Sequence, residues 1–379
     1  MYLNNILIIG AGIIGLSCGY HLARKGLKVT ILDKNEPGSG QSTRTGGGIR
    51  FLHSSKHNRI LSSLSEDFWK KFPYEFDTNP NYNEIGHLFL SAKNEKINQL
   101  VNGDEDKNFK ILNLNEINSI WPHLNALPFN QGVYCKNGGY LDQHQVIRGL
   151  VSGFKKIGGR LLVGVRAETL ILSDGKVQGI SSSIGPLTAD ITINCSGADV
   201  GDLTKYDNII KPFKSRHHEL LIVNSTQSIP KKTPWLIDLD RQVHLRSDGI
   251  NKVLIGGFLG NNDVVKSKNY IPKISTQWRN NVLLAAHKSF GLTSLNTNVI
   301  KHWGGLYPGT KDYLPIIEKT QPGLMTAAGF SGTGLMHAPA VGMIITDLVR
   351  SGHTDKIDIS VFDSKRFTKD VTIAESTGF

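Results

Sequence analysis

The chain begins with a glycine-rich turn between two apolar runs, and this feature limits its fold more than any other. The turn GAGIIG, residues 10 to 15, has the pattern GxGxxG and follows the aliphatic run Ile6 to Ile9. That run predicts a buried parallel strand, and the residues after the turn predict a helix with an apolar stripe at every fourth position. A second strand is predicted from Lys28 to Leu32, and Asp33 ends it.

The order of strand, glycine turn, helix, strand and acid is typical of dinucleotide binding. Gly10, Gly12 and Gly15 let the backbone approach a pyrophosphate at the helix N-terminus. Asp33 lies 23 residues after Gly10, close to the ~20 expected of the acid that holds a ribose hydroxyl. The turn alone does not separate NAD from FAD, because both ligands present the same ADP half to it.

Other segments extend this prediction along the chain. NEPGSGQSTRTGGGIRFLH follows Asp33, and GFSGTG lies near the C-terminus; both are glycine-rich loops suited to backbone lying against a ligand. Helices are predicted over residues 55–72 and 139–160, and a strand over 84–91. Several short strands between 206 and 300 predict a separate, largely antiparallel sheet.

Composition limits the class of protein. The formal net charge is +11, but the basic residues are scattered, so we predict small anionic ligands rather than nucleic acid.

The three cysteines are far apart; Cys195 is interpreted as a buried strand-end thiol in preference to a nucleophile. The histidine spacings do not predict a metal site. The N-terminal apolar run has no basic flank and is interrupted by glycine, so we expect a cytoplasmic protein without a membrane span.

At this point the chain resembles the D-amino-acid-oxidase-type flavoproteins, especially the sarcosine oxidase and glycine oxidase branch. The resemblance covers nearly the whole chain and depends on GAGIIG with Asp33, STRTGGGIR, GGYLDQHQVIRGL, INCSGA, GLYPGTKDYLPII and AAGFSGTGLMHAPAVG. It implies FAD rather than NAD. It also implies an α/β fold in which a discontinuous Rossmann-like FAD-binding domain carries an inserted α+β substrate domain with an antiparallel sheet. We assign residues 1–80, 140–205 and 301–379 to the first domain and 81–139 and 206–300 to the second.

The resemblance also implies residues that contact the cofactor. The family binds FAD through the GxGxxG turn, the loop after the second strand, two short turns and the C-terminal glycine loop. In this chain these are Gly10, Gly12, Gly15, Asp33, Lys34, Ser42, Thr43, Arg44, Gly47, Gly48, Ala167, Gly197, Gly305, Gly332, Thr333, Gly334, Leu335 and Met336. Gly305 stands where the monomeric sarcosine oxidases have the cysteine that holds FAD covalently, so we expect FAD to be non-covalent.

The same resemblance implies oxidation of a carbon–nitrogen bond by hydride transfer to flavin N5. The expected substrate is a small carboxylate-bearing amine, such as sarcosine, glycine or proline. Arg50, Tyr307 and His244 are the candidate catalytic residues, with Arg50 as the grip for a carboxylate. Ile255 is aligned with a lysine that helps oxygen react in that branch, which favours a dehydrogenase over an oxidase. Met336 stands where the branch binds the substrate carboxylate with a lysine, so the substrate need not be sarcosine.

Three alternatives remain open from the residues. One is a 2-hydroxy-acid oxidoreductase of the same fold, acting for example on 2-hydroxyglutarate. Another is a flavin-binding assembly protein with little turnover. An NAD-only dehydrogenase is disfavoured, because it leaves the C-terminal GFSGTG loop unexplained. The sequence does not decide between a homo-oligomer and a subunit of a larger complex.

Overall fold

The fold is that of a computed structural model, which describes residues 5–103, 108–124, 127–203, 213–225, 229–259, 270–291, 298–368 and 375. Within them, strands form two large and two small sheets. The first large sheet has six strands and contains the predicted glycine turn. Its spatial order is β18, β19, β12, β1, β2, β8. The bounds are β1 Asn5–Ile9, β2 Lys28–Asp33, β8 Arg160–Val163, β12 Ile191–Asn194, β18 Ile316–Gln321 and β19 Leu324–Ala328.

The pairing within this sheet explains why the first strands are so apolar. β1 pairs in parallel with β2 and with β12, and β12 pairs in parallel with β19. Strands covered on both faces need continuous aliphatic runs, and Ile6 and Ile8 are completely buried. Only β18 runs antiparallel, as an edge strand beside β19. The predicted parallel unit is therefore confirmed.

The described helices pack on one another and against the sheets. Their bounds are α1 Ile13–Ala23, α2 Lys56–Glu75, α3 Asn94–Val101, α4 Leu114–Ile120, α5 Gln143–Lys156, α6 Val200–Leu203, α7 Thr276–Phe290 and α8 Gly334–Arg350. α1 packs against α5 and α8. The predicted helix over 139–160 is shorter than expected, because its first residues instead form the strand β7, Gly138–Tyr140.

The second large sheet has eight strands in the order β17, β13, β16, β15, β14, β4, β6, β5. The bounds are β4 His87–Ser91, β5 Lys110–Asn113, β6 Gln131–Cys135, β13 Lys214–Asn224, β14 Trp235–Asp238, β15 Val243–Ser247, β16 Lys252–Gly257 and β17 Val299–Gly309. All pairs are antiparallel except that of β4 with β14. The predicted boundary at residue 300 falls inside β17, which is an edge strand of this sheet.

Two small sheets complete the described strands. β3 Gly48–Arg50 pairs with β7, and β9 Ala167–Ser173, β10 Lys176–Ser182 and β11 Gly185–Thr188 form an antiparallel meander. The eight-stranded sheet separates two hydrophobic clusters. One face joins the core of the six-stranded sheet through Phe89, Trp235 and Leu254. The other face packs with α7 through Leu245 and Ile255.

Candidate active site

A cavity of about 650 Å³ runs from the six-stranded sheet to the eight-stranded sheet. At one end it is lined by Asp33 and Lys34, at the carboxyl end of β2. At the other end it is lined by His244 of β15 and Tyr307 of β17. Ligands of open parallel sheets bind beyond the carboxyl ends of the strands. The cavity therefore starts where the glycine turn predicts a nucleotide and ends on a different sheet.

The glycine turn is packed too closely for side chains. Gly10 has φ +102°, and a Cβ there would lie 2.6 Å from the carbonyl oxygen of Cys195. A Cβ on Gly15 would lie 1.9 Å from the carbonyl oxygen of Gly10. Gly12 is the N-cap of α1, whose first turn has no acidic residue. The helix N-terminus thus presents backbone N–H groups beside the cavity and fits a pyrophosphate.

Asp33 is fixed at the nucleotide end by backbone donors. Its Oδ2 accepts from the Ala11 N–H at 2.7 Å, and its Oδ1 accepts from the Asn35 N–H at 2.9 Å. Burial raises the pKa of Asp33, and these two N–H groups oppose that rise. Lys34 forms an ion pair with Asp199 at 2.7 Å. These contacts suit the recognition of a ribose and fit the adenosine end of FAD.

The loop after β2 contacts both sheets. Ser42 Oγ accepts from the Ile13 N–H at 2.9 Å, in the first turn of α1. Arg44 Nη1 donates to the Gly304 carbonyl of β17 at 3.2 Å. Thr43 Oγ1 donates to the Gly38 carbonyl at 2.8 Å. The loop therefore holds the middle of the cavity between the two sheets.

The structure brings most of the predicted residues to the cavity, but not all of them. Those that line it are Gly10, Gly12, Asp33, Lys34, Ser42, Arg44, Ala167, Gly197, His244, Gly305, Tyr307, Gly332, Gly334 and Leu335. Those that lie outside the lining are Gly15, Thr43, Gly47, Gly48, Arg50, Thr333 and Met336.

Residues outside the lining support the wall from behind. A Cβ on Gly47, which has φ +81°, would lie 2.1 Å from the Leu141 carbonyl oxygen. A Cβ on Gly48 would lie 3.3 Å from the Trp235 ring. Thr333 is buried and donates its hydroxyl to the Phe330 carbonyl at 2.6 Å.

Met336 belongs to the core rather than to the cavity. It lies in α8, its side chain is buried, and its carbonyl accepts from Trp69 Nε1 at 3.3 Å. Met336 does not line the cavity. Its predicted contact with the cofactor therefore has no support from the cavity lining and stays a prediction.

Rings surround the far end of the cavity. The Tyr307 ring centroid lies 4.4 Å from that of His218 and 6.1 Å from that of Phe258. A Cβ on Gly332 would lie 2.4 Å from Tyr307 Cε2, so only glycine allows this loop to reach the ring. Burial raises the pKa of Tyr307, and the charge of Arg50 opposes the rise. Sequence reasoning did not assign His218 or Phe258 to the site, since the pattern around them predicted only strands.

His244 is held as a neutral imidazole. Trp235 Nε1 donates to His244 Nδ1 at 3.2 Å, and an indole N–H can only donate. Nδ1 is therefore unprotonated, and the proton of the neutral ring is on Nε2. Burial lowers the pKa of His244 to about 3, and the charges of Arg246 and Arg50 add to that effect.

Arg50 is a buried cation on β3 rather than a surface side chain. Its Nη2 lies 3.1 Å from His53 Nδ1, and its Cζ lies 5.9 Å from the Phe89 ring centroid. A guanidinium only donates, so His53 Nδ1 accepts and the proton of this neutral ring is on Nε2. His53 Nε2 then donates to Ser62 Oγ at 2.9 Å. Burial lowers the pKa of His53 well below its usual value, and the Arg50 charge lowers it further.

Glu375 lies beside this group, and no pattern in the sequence indicated it. Its carboxylate accepts from the N–H groups of Ser54 and Ser55 at 2.9 and 3.0 Å and from Asn58 Nδ2 at 3.1 Å. One carboxylate oxygen lies 4.0 Å from His53 Nδ1. The residue is almost completely buried. A carboxylate far along the chain thus binds the N-terminus of α2 behind the active site.

The expectation for Ile255 is wrong. Ile255 is completely buried in the cluster on the far face of the eight-stranded sheet. Its neighbour Leu254 points to the near face, and its Cδ2 lies 3.6 Å from the Cβ position of Gly46. Successive strand residues point to opposite faces. An alignment that is wrong by one position therefore exchanges the residue on the near face for the residue on the far face. Leu254 is apolar as well, although Arg246 of the neighbouring strand β15 also reaches the loop and donates to the Gly46 carbonyl at 3.1 Å.

The described residues lack a metal-binding cluster and a membrane-spanning helix. They contain no group of three or more histidine, cysteine or acidic side chains placed to hold a metal. Among the same residues, no helix is long and apolar enough to cross a bilayer.

Comparisons with known proteins agree with this geometry. The family model described as "DAO: FAD dependent oxidoreductase" matches residues 5–348. Dimethylglycine dehydrogenase of Rattus norvegicus is 21% identical over 385 residues, covering 96% of this chain and 45% of that protein. Glycine oxidase of Pseudomonas aeruginosa is 24% identical over 364 residues, covering 93% and 96%. The solved structure of L-proline dehydrogenase from P. horikoshii has a TM-score of 0.86 at 24% identity, covering 97% and 98%.

These matches differ in how much of each relative they cover. The chain spans less than half the length of the dimethylglycine dehydrogenase, but nearly all of the glycine oxidase. The likeness to the solved structure shows that the fold is shared.

Proposed function

The chain belongs to the DAO family of FAD-dependent oxidoreductases, and we propose that it oxidises an amino acid or secondary amine with a free carboxylate. FAD held in the main cavity supplies the hydride acceptor for a carbon–nitrogen bond. The relatives support this substrate class, since their names refer to glycine, dimethylglycine and L-proline.

One observation carries the proposal. A single cavity extends from Asp33, the proposed ribose-binding carboxylate, to the ring-lined end at His244 and Tyr307. A nucleotide site without a substrate end would not need the second sheet. A substrate beside His244 and Tyr307 would contact a neutral imidazole and a buried phenol whose pKa burial raises.

We assign separate roles to the three candidate catalytic residues. Tyr307 and His244 line the cavity and contact the substrate, with His244 Nε2–H as a donor. Arg50 lies behind them and attracts the substrate carboxylate with a positive charge that burial leaves poorly screened. The neighbouring imidazoles are neutral, and the nearby Glu375 carboxylate opposes the fall in the pKa of Arg50 that burial causes. An amine that arrives neutral requires no further base from the chain.

The acceptor and the state of the cofactor are part of the same proposal. We infer a non-covalent FAD, since Gly305 lines the cavity where a cysteine would be needed. We also infer a dehydrogenase, because Leu254 is aliphatic and the cation beside the same loop, Arg246, is already engaged: it donates to the Gly46 carbonyl at 3.1 Å and pairs with Asp248 at 2.6 Å.

The test is an anaerobic titration of the purified holoprotein. Sarcosine, glycine, L-proline, D-alanine and L-2-hydroxyglutarate are added in turn while the visible flavin band is recorded. We expect an amine with a carboxylate to bleach the band, and slow recovery in air. Bleaching by the hydroxy acid alone would reject an amine substrate. No flavin after reconstitution with FAD would reject the proposal altogether.

The test variant is Arg50→Ala, and its control is Arg148→Ala. Arg50 is buried behind the site, whereas Arg148 is exposed on α5. We expect Arg50→Ala to keep the flavin and lose bleaching, and Arg148→Ala to retain both. Equal behaviour of the two variants would contradict the role of Arg50.

A further inference from the structure

A second guanidinium, that of Arg216, lies beyond the ring-lined end of the cavity. Arg216 of β13 is directly opposite Tyr307 of β17 in the antiparallel register. His218 is two residues further on, and strand side chains two apart share a face. Arg216 is therefore on the face of the sheet that bears the substrate end.

A small cavity lies between Arg216 and that end. It measures about 30 Å³ and is lined by Arg216 and Tyr313. Its other walls include His218, Phe258 and Tyr307, which also line the main cavity. A cavity needs about 10–15 Å³ of this volume to hold one water molecule. The small cavity can thus admit the end of a carboxylate, but not a bulky side chain.

The groups around this small cavity suit an anion. Arg216 Nη1 donates to Tyr313 Oη at 3.0 Å, and its Cζ lies 5.5 Å from the Tyr313 ring centroid. In the described part of the chain, no carboxylate forms an ion pair with Arg216. A guanidinium has five N–H donors in a planar fork. The hydroxyls of Tyr307 and Tyr313 add further donors, whereas the Ser331 hydroxyl donates to the Gly329 carbonyl at 3.3 Å.

Two residues of the same small cavity have an unfavourable backbone conformation. Tyr313 has φ +61° and Ser331 has φ +51°, in the left-handed region that is uncommon for residues other than glycine. Such conformations cost on the order of 1 kcal/mol or more and cluster at binding sites. Backbone contacts hold both residues in place, since the Ser331 N–H donates to the Pro308 carbonyl at 3.0 Å and the Tyr313 N–H donates to the Thr310 carbonyl at 3.4 Å.

We propose that Arg216 forms a subsite for a second acidic group, so that the chain prefers amines with two carboxylates to amines with one. This inference rests on the proposed function and narrows its substrate class. One carboxylate of the substrate faces the charge of Arg50, and the other reaches past Tyr307 to Arg216. Arg216 is then the residue that selects between otherwise similar amines.

The binding test uses two non-reacting anions and the holoprotein. Glutarate has the chain length of iminodiacetate, and butyrate has that of sarcosine. Each anion is titrated while the flavin spectrum is recorded, and the shift of the thermal unfolding midpoint is measured independently. We expect glutarate to bind more tightly than butyrate. In Arg216→Met, glutarate should lose about ten- to a hundredfold in affinity, the range for hydrogen bonds to a charged group, with butyrate little changed.

Two further variants separate a subsite from a general effect of charge. Arg148→Met removes an exposed charge and should leave both anions unchanged. Arg216→Lys should recover part of the glutarate affinity, because it restores the charge but not the fork. The ratio of kcat/KM for iminodiacetate to that for sarcosine should fall in Arg216→Met by the same factor as glutarate binding.

The outcomes distinguish this inference from the proposed function. An equal loss of glutarate and butyrate in Arg216→Met would overturn the second-group subsite, as would equal affinities in the unaltered protein. If glutarate binding depends on Arg216 but no amine bleaches the flavin, the subsite stands and the proposed function fails.

Discussion

At the residue scale, one buried cation is surrounded by imidazoles that do not carry charge. Burial lowers the pKa values of His87 and His337 to about 3, and in both the Arg50 charge is the next cause. The same charge contributes at His244. A second positive charge beside a buried guanidinium is unfavourable, so these histidines act as hydrogen-bonding and packing groups.

Removing the donor to His244 should weaken substrate binding. In Trp235→Phe, His244 loses its partner on Nδ1, so its tautomer and ring orientation are no longer fixed. A neutral hydrogen bond contributes about 0.5–1.5 kcal/mol, so we expect KM to rise about two- to tenfold with a smaller change in kcat. Trp121→Phe is the control, because Trp121 is buried on the opposite face of the sheet. A change in kcat alone would show that Trp235 does not act through substrate binding.

The same scale shows where sequence reasoning was limited. The position of Asp33 at the end of β2 could be predicted from its distance to the glycine turn, because a local strand–helix–strand unit fixes that position. The burial of Arg50 could not, since it depends on β3 pairing with β7 about ninety residues later. Alternation along β16 defines two faces, and only the pairing of the strands identifies Leu254, rather than Ile255, as the residue on the face toward the cavity.

At the element scale, the turn from β1 into α1 depends on glycine at Gly10. Gly10→Ala would place a Cβ 2.6 Å from the Cys195 carbonyl oxygen at a positive φ, so the turn must open. We expect loss of FAD binding together with a fall in the free energy of unfolding of about 1–3 kcal/mol. Gly40 also lines the cavity, but its Cβ position has no atom within 4 Å. Gly40→Ala should retain FAD, and a similar loss in both variants would contradict the role of the turn.

Glu375 should stabilise the N-terminus of α2 in the same way as a capping side chain. Glu375→Ala leaves the N–H groups of Ser54 and Ser55 without the carboxylate, at a cost of about 1–3 kcal/mol for buried unsatisfied groups. We expect a lower thermal midpoint, measured by circular dichroism. Glu36→Ala, at an exposed position, is the matched control. An unchanged midpoint in Glu375→Ala would show that these contacts are not formed in solution.

Elements close in sequence were predicted better than those assembled from distant segments. The strands β13, β15 and β16 could be predicted from their alternating or aliphatic runs. The parallel pair of β4 with β14 and the place of β17 at the edge of the large sheet do not, because pairing partners lie far apart in the chain. The glycines of the C-terminal loop indicated a ligand, and the structure adds that Gly332 meets the Tyr307 ring.

At the scale of the whole molecule, the eight-stranded sheet serves two purposes. Its near face closes the cavity, and its far face forms a separate core with α7. Polar groups such as Arg50, His87 and His244 are on the near side, whereas the described core on the far side is aliphatic and aromatic. The cost of burying polar groups is therefore confined to the side that carries the site.

Buried neutral histidines should make the whole protein sensitive to acid. Burial lowers the pKa of His21 to about 4 and those of His87 and His337 to about 3, whereas an unfolded histidine has a pKa near 6.5. Between these values the unfolded chain binds more protons, so stability is fully present above about pH 6.5 and falls as the pH decreases. Each such histidine contributes a slope of at most about 1.4 kcal/mol per pH unit. The free energy of unfolding in urea, measured at pH 7.5, 6.0 and 5.0, gives the total slope.

One histidine can be removed to test this account. His87 is buried, and its Nδ1 makes no hydrogen bond with the described residues. In His87→Leu the pH slope should decrease by up to one proton, because this variant has no imidazole to protonate on unfolding. His144→Leu, at an exposed position, should leave the slope unchanged. A slope that His87→Leu does not alter would mean that His87 has similar pKa values in the folded and unfolded chain.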